Sequence, residues 1–548
     1  MLERIERFVD RRFTAVVVAV MLFLGLWAWT HRFIQDDAFI SFRYARNLVE
    51  GKGLVWNPGE RVEGYTNFLW TLLMAVPFAL GLDPVRFAHG CGLLLFLASL
   101  GAAYGLARSV LGSRYQALLA VVLLGSNYTF SCYATGGLET QLQAALLTAL
   151  TWLVLSLPRE GGWKRGVLAA CSLLAALALL TRLDSAVFLA VLYACLGLRM
   201  RARRLSLRHG LSEGAFLVLP ALVITAAWFA WKWAYYGGIL PNTYYAKAAP
   251  LSFPANVLIL LFGLKYLYFF LLSYGLMPFL FLALFSWKEL LGRVETVVPA
   301  ALLVLWSLYV VFVGGGFMEY RMMVAALPPA VVLIVWLCFN VTARRPVRAA
   351  LAAVVIFGSL SHAGTFGRTF QAPGVETIDV LEGHLYGPGR EWCRVGRVLG
   401  ALFHDEAHPV VIATTAAGAI PFYSRLVTVD MLGLNDPWVA RHGRFAGIRP
   451  GHRKIAATAY LVRRKVDLVL GNPVLVPAET ALPPAFGIRD LKRFGLVDAD
   501  PASIPPGARV VEIPVTPDHK LIALNLVRKP FSDAVIRRKG FKTHPVGR

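Results

Sequence analysis

The stretch Gln35-Asp36-Asp37-Ala38-Phe39-Ile40-Ser41-Phe42-Arg43-Tyr44-Ala45 places two adjacent carboxylates just after the first long apolar segment, residues 14–30. A carboxylate near lipid costs about 2.5–3.5 kcal/mol at the bilayer centre and less towards the surface, so ionisable residues in such places usually serve a pathway or a reaction. We therefore interpret Asp36 and Asp37 as the centre of a catalytic site at a membrane boundary.

The composition indicates a polytopic α-helical membrane protein. The chain has 548 residues, of which 57% are hydrophobic, and its mean hydropathy is +0.59. Apolar runs of roughly membrane-spanning length recur along it. Residues 14–30 are not followed by a small-residue cleavage site, so we expect an anchor and not a cleaved leader. The six cysteines show neither a disulfide framework nor metal-ligand spacing.

The formal net charge of +23 has meaning only after the charges are assigned to a side of the membrane. The basic residues fall in short connectors between apolar runs, which the positive-inside rule predicts to be cytoplasmic. We therefore predict no nucleic-acid partner. The basic connectors contain Arg4, Arg7, Arg11 and Arg12; Arg108 and Arg114; Arg159, Lys164 and Arg165; Arg199, Arg201, Arg203, Arg204 and Arg208; Lys288 and Arg293; and Arg344, Arg345 and Arg348.

Counting crossings between these connectors predicts about eleven transmembrane helices. They lie near residues 14–30, 88–107, 115–130, 138–157, 167–181, 184–198, 214–236, 270–287, 295–313, 321–340 and 347–362. The apolar pieces 65–80 and 256–269 cannot both cross without moving polar connectors to the cytoplasmic side. We expect them to be juxtamembrane helices on the outer surface, with 65–80 inside a first outer loop that spans residues 31–87.

The composition changes after residue 363, where apolar runs shorten to strand length. Predicted strands are 409–414, 426–429, 466–470, 509–513 and 521–527. Strands that alternate with helical stretches predict a soluble α/β domain over 363–548, following a membrane domain over 1–362. By parity this domain lies on the periplasmic side, where its basic tail is a solvated face or meets anionic groups.

From Asp36 onward the spacing predicts a helix with two polar faces. One face carries Asp36, Ile40, Arg43 and Asn47, and the neighbouring face carries Asp37, Ser41 and Tyr44. A single acid at this position would cap the helix, because carboxylates are favoured at helix N-termini. Two consecutive acids with an arginine and a tyrosine nearby favour a functional site over a cap alone.

The loop continues to Asn67, and as a whole DDAFISFRYARNLVEGKGLVWNPGERVEGYTN resembles the first outer loop of GT-C glycosyltransferases. The likeness is strongest to the terminal β-(1→2)-arabinofuranosyltransferase family and its Gram-negative relatives. Further pieces resemble the same family in order along the chain: TGGLET (135–140), TRLDS (181–185), PNTYYAK (241–247), GGGFMEYR (314–321) and DMLGLND (430–436).

The resemblance implies an enzyme of the bacterial inner membrane with the GT-C fold. It implies transfer of a sugar, such as the pentofuranose arabinofuranose, from a polyprenyl-phosphate donor to a cell-envelope glycan on the periplasmic face. Inversion at the anomeric carbon needs a base for the acceptor hydroxyl, which the family pattern places at Asp36 or Asp37. We favour Asp36, because it shares a helix face with Arg43. The other acid would orient the base, contact the sugar or bind a divalent cation, and no organic cofactor is implied.

Arginine suits the departing phosphate, because its planar fork donates two parallel hydrogen bonds and stays charged. The predicted phosphate-binding residues are Arg43, Arg182, Lys247 and Arg321. The predicted substrate contacts are Tyr44, Glu139, Asp184, Asn242, Tyr244, Tyr245 and Glu319. At 314–316 the chain has three glycines where relatives more often have an acid, so Glu319 is the substitute in this chain.

Structural alternatives stand beside several of these roles. Glu139 and Asp184 could form salt bridges with Arg182 or Arg321, Lys247 could be an interfacial lysine, and the tyrosines could be interfacial aromatics. For the whole protein, the alternatives are a flippase or carrier of polyprenyl-linked sugars, a pilin or protein glycosyltransferase of the same fold, and an assembly subunit without activity. A carrier would need polar groups at mid-membrane depth, whereas the predicted groups lie at one surface.

Overall fold

A computed structural model describes residues 11–203, 206–247, 253–362, 374–447 and 449–547. A helical part extends to residue 362, and a part that combines a β-sheet with helices begins after residue 373. Arg4, Arg7, Arg204 and the predicted domain boundary at 363 lie outside the described residues.

The first half of the helical part is, in chain order, α1 (Phe13–Thr30), α2 (Asp36–Val49), α3 (Phe68–Leu73), α4 (Ala75–Ala79), α5 (Pro84–Leu111), α6 (Arg114–Gly125), α7 (Tyr128–Cys132), α8 (Thr140–Ser156) and α9 (Arg165–Thr181). The second half is α10 (Ala186–Ala202), α11 (Leu207–Tyr236), α12 (Asn242–Lys247), α13 (Phe253–Ser273), α14 (Met277–Phe285), α15 (Trp287–Leu291), α16 (Val294–Val313), α17 (Leu327–Val341) and α18 (Arg345–Ser361).

Many of these helices have the length and apolar character of membrane spans. Within the described residues, seven helices satisfy both criteria: Phe13–Thr30, Pro84–Leu111, Leu183–Ala202, Arg208–Tyr236, Asn256–Ser273, Val294–Val313 and Arg321–Val341. Shorter apolar helices occur at Phe68–Ala79, Arg114–Gly125, Thr140–Ser156 and Arg165–Thr181. The multi-pass membrane character is confirmed, and the count of eleven spans stays a prediction.

One predicted span, 270–287, is wrong as a continuous helix. The helix α13 ends at Ser273, and α14 begins at Met277. Gly275 between them has a φ of +63°, in the left-handed region that glycine adopts at little cost, and Pro278 lies in the first turn of α14. Both residues favour a new helix start over continuation.

Helix α13 lies along the connector that follows α16. Ile259 is close to Gly314, Tyr266 packs on Gly315, and the ring of Phe270 lies 5.5 Å from that of Tyr320. The same helix, as Asn256–Ser273, is among those long and apolar enough to cross a membrane. Its length therefore does not favour the expected outer-surface position of 256–269, which stays a prediction.

The C-terminal part contains a mixed sheet with helices on it. Its strands are β1 (Val411–Thr414), β2 (Val427–Asp430), β5 (Leu468–Gly471), β6 (Leu475–Pro477), β7 (Arg509–Pro514), β8 (His519–Asn525) and β9 (Thr543–Pro545), beside a hairpin of β3 (Arg444–Phe445) and β4 (Lys454–Ile455). The order is β2-β1-β5-β8-β7-β9, with β6 also on β8; β1 is parallel to both β2 and β5, and the pairings of β8 are antiparallel. The five predicted strands are therefore present, and the α/β assignment is confirmed.

The helices of this part are α19 (Ile378–Tyr386), α20 (Trp392–Phe403), α21 (Ala419–Ser424), α22 (Pro437–His442), α23 (Thr458–Arg463) and α24 (Pro530–Arg538). One face of the sheet, with α20 and α21, belongs to the same apolar core as the membrane helices. The rings of Phe39 and Phe422 join them, with their centroids 5.4 Å apart. The other face has its own core.

The C-terminal part is docked on α2 by close backbone contact. The N–H groups of Gly418 and Ala419 donate to the carboxylate of Asp36 at 3.1 and 2.8 Å. A Cβ atom on Gly418 would lie 1.9 Å from the Asp36 carbonyl oxygen. Only a residue without a side chain fits between α21 and α2 at this point.

We expect Gly418→Ala to destabilise the protein by about 1–3 kcal/mol, because the added methyl group meets backbone atoms that cannot rotate away. Thermal unfolding of the full chain in lipid nanodiscs measures this. Gly383→Ala is the matched control, because Gly383 lies in α19 with no atom within 4 Å of its Cβ position. Equal unfolding temperatures for the two variants would contradict the expected close contact.

Candidate active site

Asp36 faces the C-terminal domain. Its side chain is buried, and both of its carboxylate oxygens accept the N–H groups of Gly418 and Ala419 described above. Burial raises the pKa of Asp36 to about 7, against the lowering effect of these hydrogen bonds. These contacts give Asp36 a part in docking the C-terminal domain, and its favoured role as the base stays a prediction.

Arg43 shares the face of Asp36, as the helical spacing predicts, but it does not bind phosphate. Its side chain is buried, and its guanidinium donates to the carbonyl oxygens of Trp56, Pro421 and Leu426 at 2.7, 2.5 and 2.9 Å. Burial lowers the pKa of Arg43 to about 9. The predicted phosphate-binding role is thus corrected, because the backbone of the loop and of the C-terminal domain satisfies the guanidinium.

Three predicted substrate contacts are also structural. Tyr44 is buried, donates to Val62 O at 2.7 Å and accepts the N–H of Gly64 at 2.8 Å. Asn242 donates to the carbonyl oxygens of Gly433 and Leu434, within the motif DMLGLND, at 2.8 and 3.0 Å.

Glu319 is likewise buried, and it pairs with His362 and accepts the N–H of Ile378 at 2.7 Å. These three side chains therefore join the connectors of the helical part to each other and to the C-terminal domain. Of the four remaining predicted contacts, two are tyrosines: the Tyr245 ring lies 4.3 Å from the Arg441 guanidinium, and Tyr244 is exposed.

Asp37, the next residue of α2, makes none of these backbone contacts. Its carboxylate interacts electrostatically with Arg321, Lys247 and His452. Burial raises the pKa of Asp37, and these cations oppose that rise. Among the described residues, no side chain or backbone group donates a hydrogen bond to its carboxylate. Asp37 is therefore the acid that is free to accept a proton.

Glu139 holds two arginines beside Asp37. Its Oε1 accepts Arg182 Nη1 and Arg321 Nη2, each at 2.7 Å, and these cations lower its pKa to about 2. Arg182 also pairs with Asp184, with its Nη2 2.5 Å from Oδ2. The salt-bridge alternative for both acids is thus observed, and their predicted role in direct substrate contact is not what their contacts indicate.

Two cationic side chains of this cluster, Arg321 and Lys247, have N–H groups without a strong hydrogen-bond acceptor. All of the Arg182 nitrogens donate to Glu139 or Asp184. Arg321 donates through Nε to Thr140, but its Nη1 meets only Met318 Sδ at 3.4 Å, and a thioether is a weak acceptor. The Lys247 ammonium has no hydrogen-bond acceptor in the part of the chain that the structure describes. An incoming anion would therefore meet Arg321 and Lys247.

A hydrogen-bond network ties this cluster to the helix that carries Asp37. Asn67 Nδ2 donates to Glu139 Oε2 at 2.8 Å, and Ser41 Oγ donates to Asn67 Oδ1 at 3.3 Å. Ser41 is one turn after Asp37 on the predicted second face. Asn67 thus links the helix that carries Asp37 to Glu139, which in turn binds the two arginines.

His452 is a residue of the cluster that no sequence pattern indicated. It lies between β3 and β4 of the C-terminal domain, and its ring packs edge-on against Phe317, with centroids 5.1 Å apart. Its neighbour Arg453 donates to the carbonyl oxygens of Lys247 and Val313. A lone histidine in an irregular segment has no spacing pattern, so only the tertiary structure brings it to Asp37.

The residues of the cluster do not fit a metal site. No group of three or more His, Cys, Asp or Glu side chains in the described residues could hold a metal ion. Glu139 and Asp184, the acids expected to complete such a site, are bonded to guanidinium groups, which repel a cation.

Two curated relatives agree with the resemblance of the sequence. The terminal β-(1→2)-arabinofuranosyltransferase of Mycobacterium tuberculosis is 31% identical over 249 residues, which are 42% of this chain and 38% of the relative. That of Corynebacterium glutamicum is 30% identical over 346 residues, 55% of this chain and 48% of the relative. The chain thus spans less than half the length of either relative. A family model described as a domain of unknown function (DUF8728) matches residues 384–511.

The fold is similar to that of a solved structure, ArnT from Cupriavidus metallidurans bound to undecaprenyl phosphate. The TM-score is 0.54 at 14% sequence identity, over 94% of this chain and 98% of that one. The predicted GT-C fold, with a polytopic helical domain before a C-terminal sheet domain, is confirmed.

We expect Asp36 to make stability fall as the pH rises. Its ordinary pKa is 3.8 and its pKa in the folded protein is about 7, so between these values the folded protein holds a proton that the unfolded chain has lost. The unfolding temperature of the wild type should therefore fall more from pH 5 to pH 8 than that of Asp36→Asn, because the asparagine side chain does not titrate. The exposed Asp405, with a pKa below its ordinary value, supplies the control Asp405→Asn. Parallel pH profiles for the wild type and Asp36→Asn would contradict this assignment.

Proposed function

We propose that this protein is an inverting GT-C glycosyltransferase that moves a pentofuranose from a polyprenyl-phosphate donor to a cell-envelope glycan. We place the reaction on the periplasmic face of the bacterial inner membrane. The observation that carries the proposal is Asp37, a carboxylate without a hydrogen-bond donor among the described residues, next to two cations with spare N–H groups. A base beside an anion site is what this displacement needs.

In the proposed step the acceptor hydroxyl oxygen attacks the anomeric carbon of the donor sugar. The new C–O bond forms as the bond from that carbon to the phosphate oxygen breaks, and polyprenyl phosphate leaves with the electron pair. The hydroxyl proton passes to Asp37. The raised pKa of Asp37 supports this role, because a carboxylate with a higher pKa is a stronger base; general-base catalysis typically contributes about 10²–10⁴-fold.

Arg321 and Lys247 would bind the phosphate as negative charge develops on the leaving oxygen. The Nη1 of Arg321 would exchange the weak Met318 contact for a charge-assisted hydrogen bond. Arg182 and Glu139 would orient Arg321 without contacting the donor, since their polar atoms are already paired. The ligand named in the ArnT structure, undecaprenyl phosphate, supports a lipid phosphate as the donor class.

The names of the two curated relatives support arabinofuranose as the sugar. A donor series of synthetic polyprenyl-phosphoryl sugars, with arabinofuranose, a hexose and an aminosugar, tests this assignment on the purified full chain in nanodiscs. Transfer only from a hexose donor would keep the enzyme class and overturn the sugar.

We expect Asp37→Asn to lower kcat by about 10²-fold or more, because the amide cannot take the acceptor proton. The measurement is transfer of radiolabelled arabinofuranose from polyprenyl phosphate to an arabinofuranose disaccharide. The unfolding temperature is measured in parallel, because the substitution also removes a charge that interacts with Arg321 and Lys247. Asp405→Asn is the matched control. Wild-type turnover by Asp37→Asn would remove the proposed base.

We expect Arg321→Gln and Lys247→Gln each to raise the donor KM by about tenfold or more, the value of one lost charge-assisted hydrogen bond. Glu139 keeps Arg182 and Asn67 as partners in the Arg321 variant, so the fold should be retained. Arg394→Gln, at an exposed arginine of α20, is the control. An unchanged donor KM in both variants would show that the phosphate binds elsewhere.

A further inference from the structure

A cleft of about 350 Å³ opens at the C-terminal end of α2. Its walls come from three elements: α2 with Arg46 and Glu50, α4 with Phe78, and α21 with the adjoining residue, which together provide Phe422, Tyr423 and Arg425. Arg46 lies nine residues after Asp37, or about 14 Å further along the helix axis. The cleft is therefore separate from the cluster around Asp37.

The cleft holds more positive charge than its one acid balances. Arg46 Nε and Arg425 Nη2 lie 3.9 and 3.5 Å from the same Glu50 oxygen, and Lys52 Nζ lies 2.7 Å from the other. One carboxylate thus faces three cations. Burial, and after it the repulsion from Arg425, lowers the pKa of Arg46.

Arg46 has hydrogen-bonding capacity that the protein does not use. Its side chain is only 8% exposed, and its Nη1 donates to Phe422 O at 2.8 Å. Its Nε–H is buried and has no hydrogen-bond acceptor in the described chain. Its Nη2 is not among the buried atoms and donates to no group in the described chain, so an anionic ligand in the cleft can accept a hydrogen bond from it.

The remaining walls are aromatic, and the chain around Phe78 also carries an exposed apolar edge. The Phe422 ring lies 6.2 Å from that of Phe78 and 5.0 Å from that of Tyr423. Beside Phe78, Val76, Leu80 and Leu82 are 37%, 66% and 50% exposed. This edge belongs to the segment 65–80 and its end, which we expect at the outer membrane surface.

We propose that this cleft binds the head group of an anionic phospholipid, with the phosphate between Arg46 and Arg425 and the acyl chains along Val76, Leu80 and Leu82. Two arginines above an apolar edge match a charged head group joined to hydrocarbon. An acidic glycan would use the arginines but would leave the apolar edge in water. The inference depends on the outer-surface position of α3 and α4 and not on the proposed transferase activity.

Native mass spectrometry of the full chain released from mixed nanodiscs tests the inference. With phosphatidylglycerol and phosphatidylcholine in equal amounts, the wild type should retain phosphatidylglycerol preferentially. Arg425→Gln should lower that preference by about tenfold, the effect of one lost arginine–phosphate contact. Arg394→Gln is the matched control, because its side chain is 53% exposed and that of Arg425 is 51% exposed. Equal retention by wild type and Arg425→Gln would overturn the proposal.

A photo-crosslinking benzoylphenylalanine in place of Val49, which also lines the cleft, identifies the occupant directly. We expect crosslinks to phosphatidylglycerol that Arg425→Gln reduces, and none from the same group in place of Val497, an exposed residue of the C-terminal domain. Loss of the lipid crosslink on adding a soluble oligogalacturonate would assign the cleft to an acidic glycan and overturn the lipid proposal. Because neither readout requires turnover, the transferase function and the lipid site can fail independently.

Discussion

Successive residues of an α-helix point about 100° apart, and this constraint separates the roles of Asp36 and Asp37. The carboxylate of Asp36 binds the backbone of the C-terminal domain, while that of Asp37 faces the cationic cluster. The first contact fixes where α2 lies, and the second depends on that position. A rotation of the helix by one residue would exchange the two acids and break both the docking and the cluster.

The cationic cluster is organised by a negative charge. Glu139 accepts from Arg182 and Arg321 through one oxygen and from Asn67 through the other. Burying these charges is costly, and a network in which each partner is satisfied offsets much of that cost. The N–H groups that can still donate a hydrogen bond are then those of Arg321 Nη1 and Lys247. The phosphate site that we propose here would be preorganised, so an arriving anion would need little rearrangement.

The C-terminal domain belongs to the site as well as covering it. Its backbone forms hydrogen bonds with Asp36 and Arg43, and the carbonyl oxygens of its DMLGLND segment accept from Asn242. Its β3–β4 hairpin carries His452, which interacts electrostatically with Asp37. The same docking surface forms the cleft in which we infer a phospholipid head group. One interface therefore positions the acid for the proposed reaction and creates a second anion site at the far end of α2.

Local patterns in the sequence determined the multi-pass helical character, the helix that begins at Asp36, the five strands and most of the charged residues of the cluster. These features depend on apolar length and on periodicities of two and 3.6 residues, which neighbouring residues suffice to set. Only the tertiary structure decided which acid is free, that Arg43 and Tyr44 are buried partners of distant backbone, and that His452 reaches the site. The bonds from Arg43 to Pro421 and from Asp36 to Gly418 each join residues more than 370 positions apart, a separation at which no local pattern carries information.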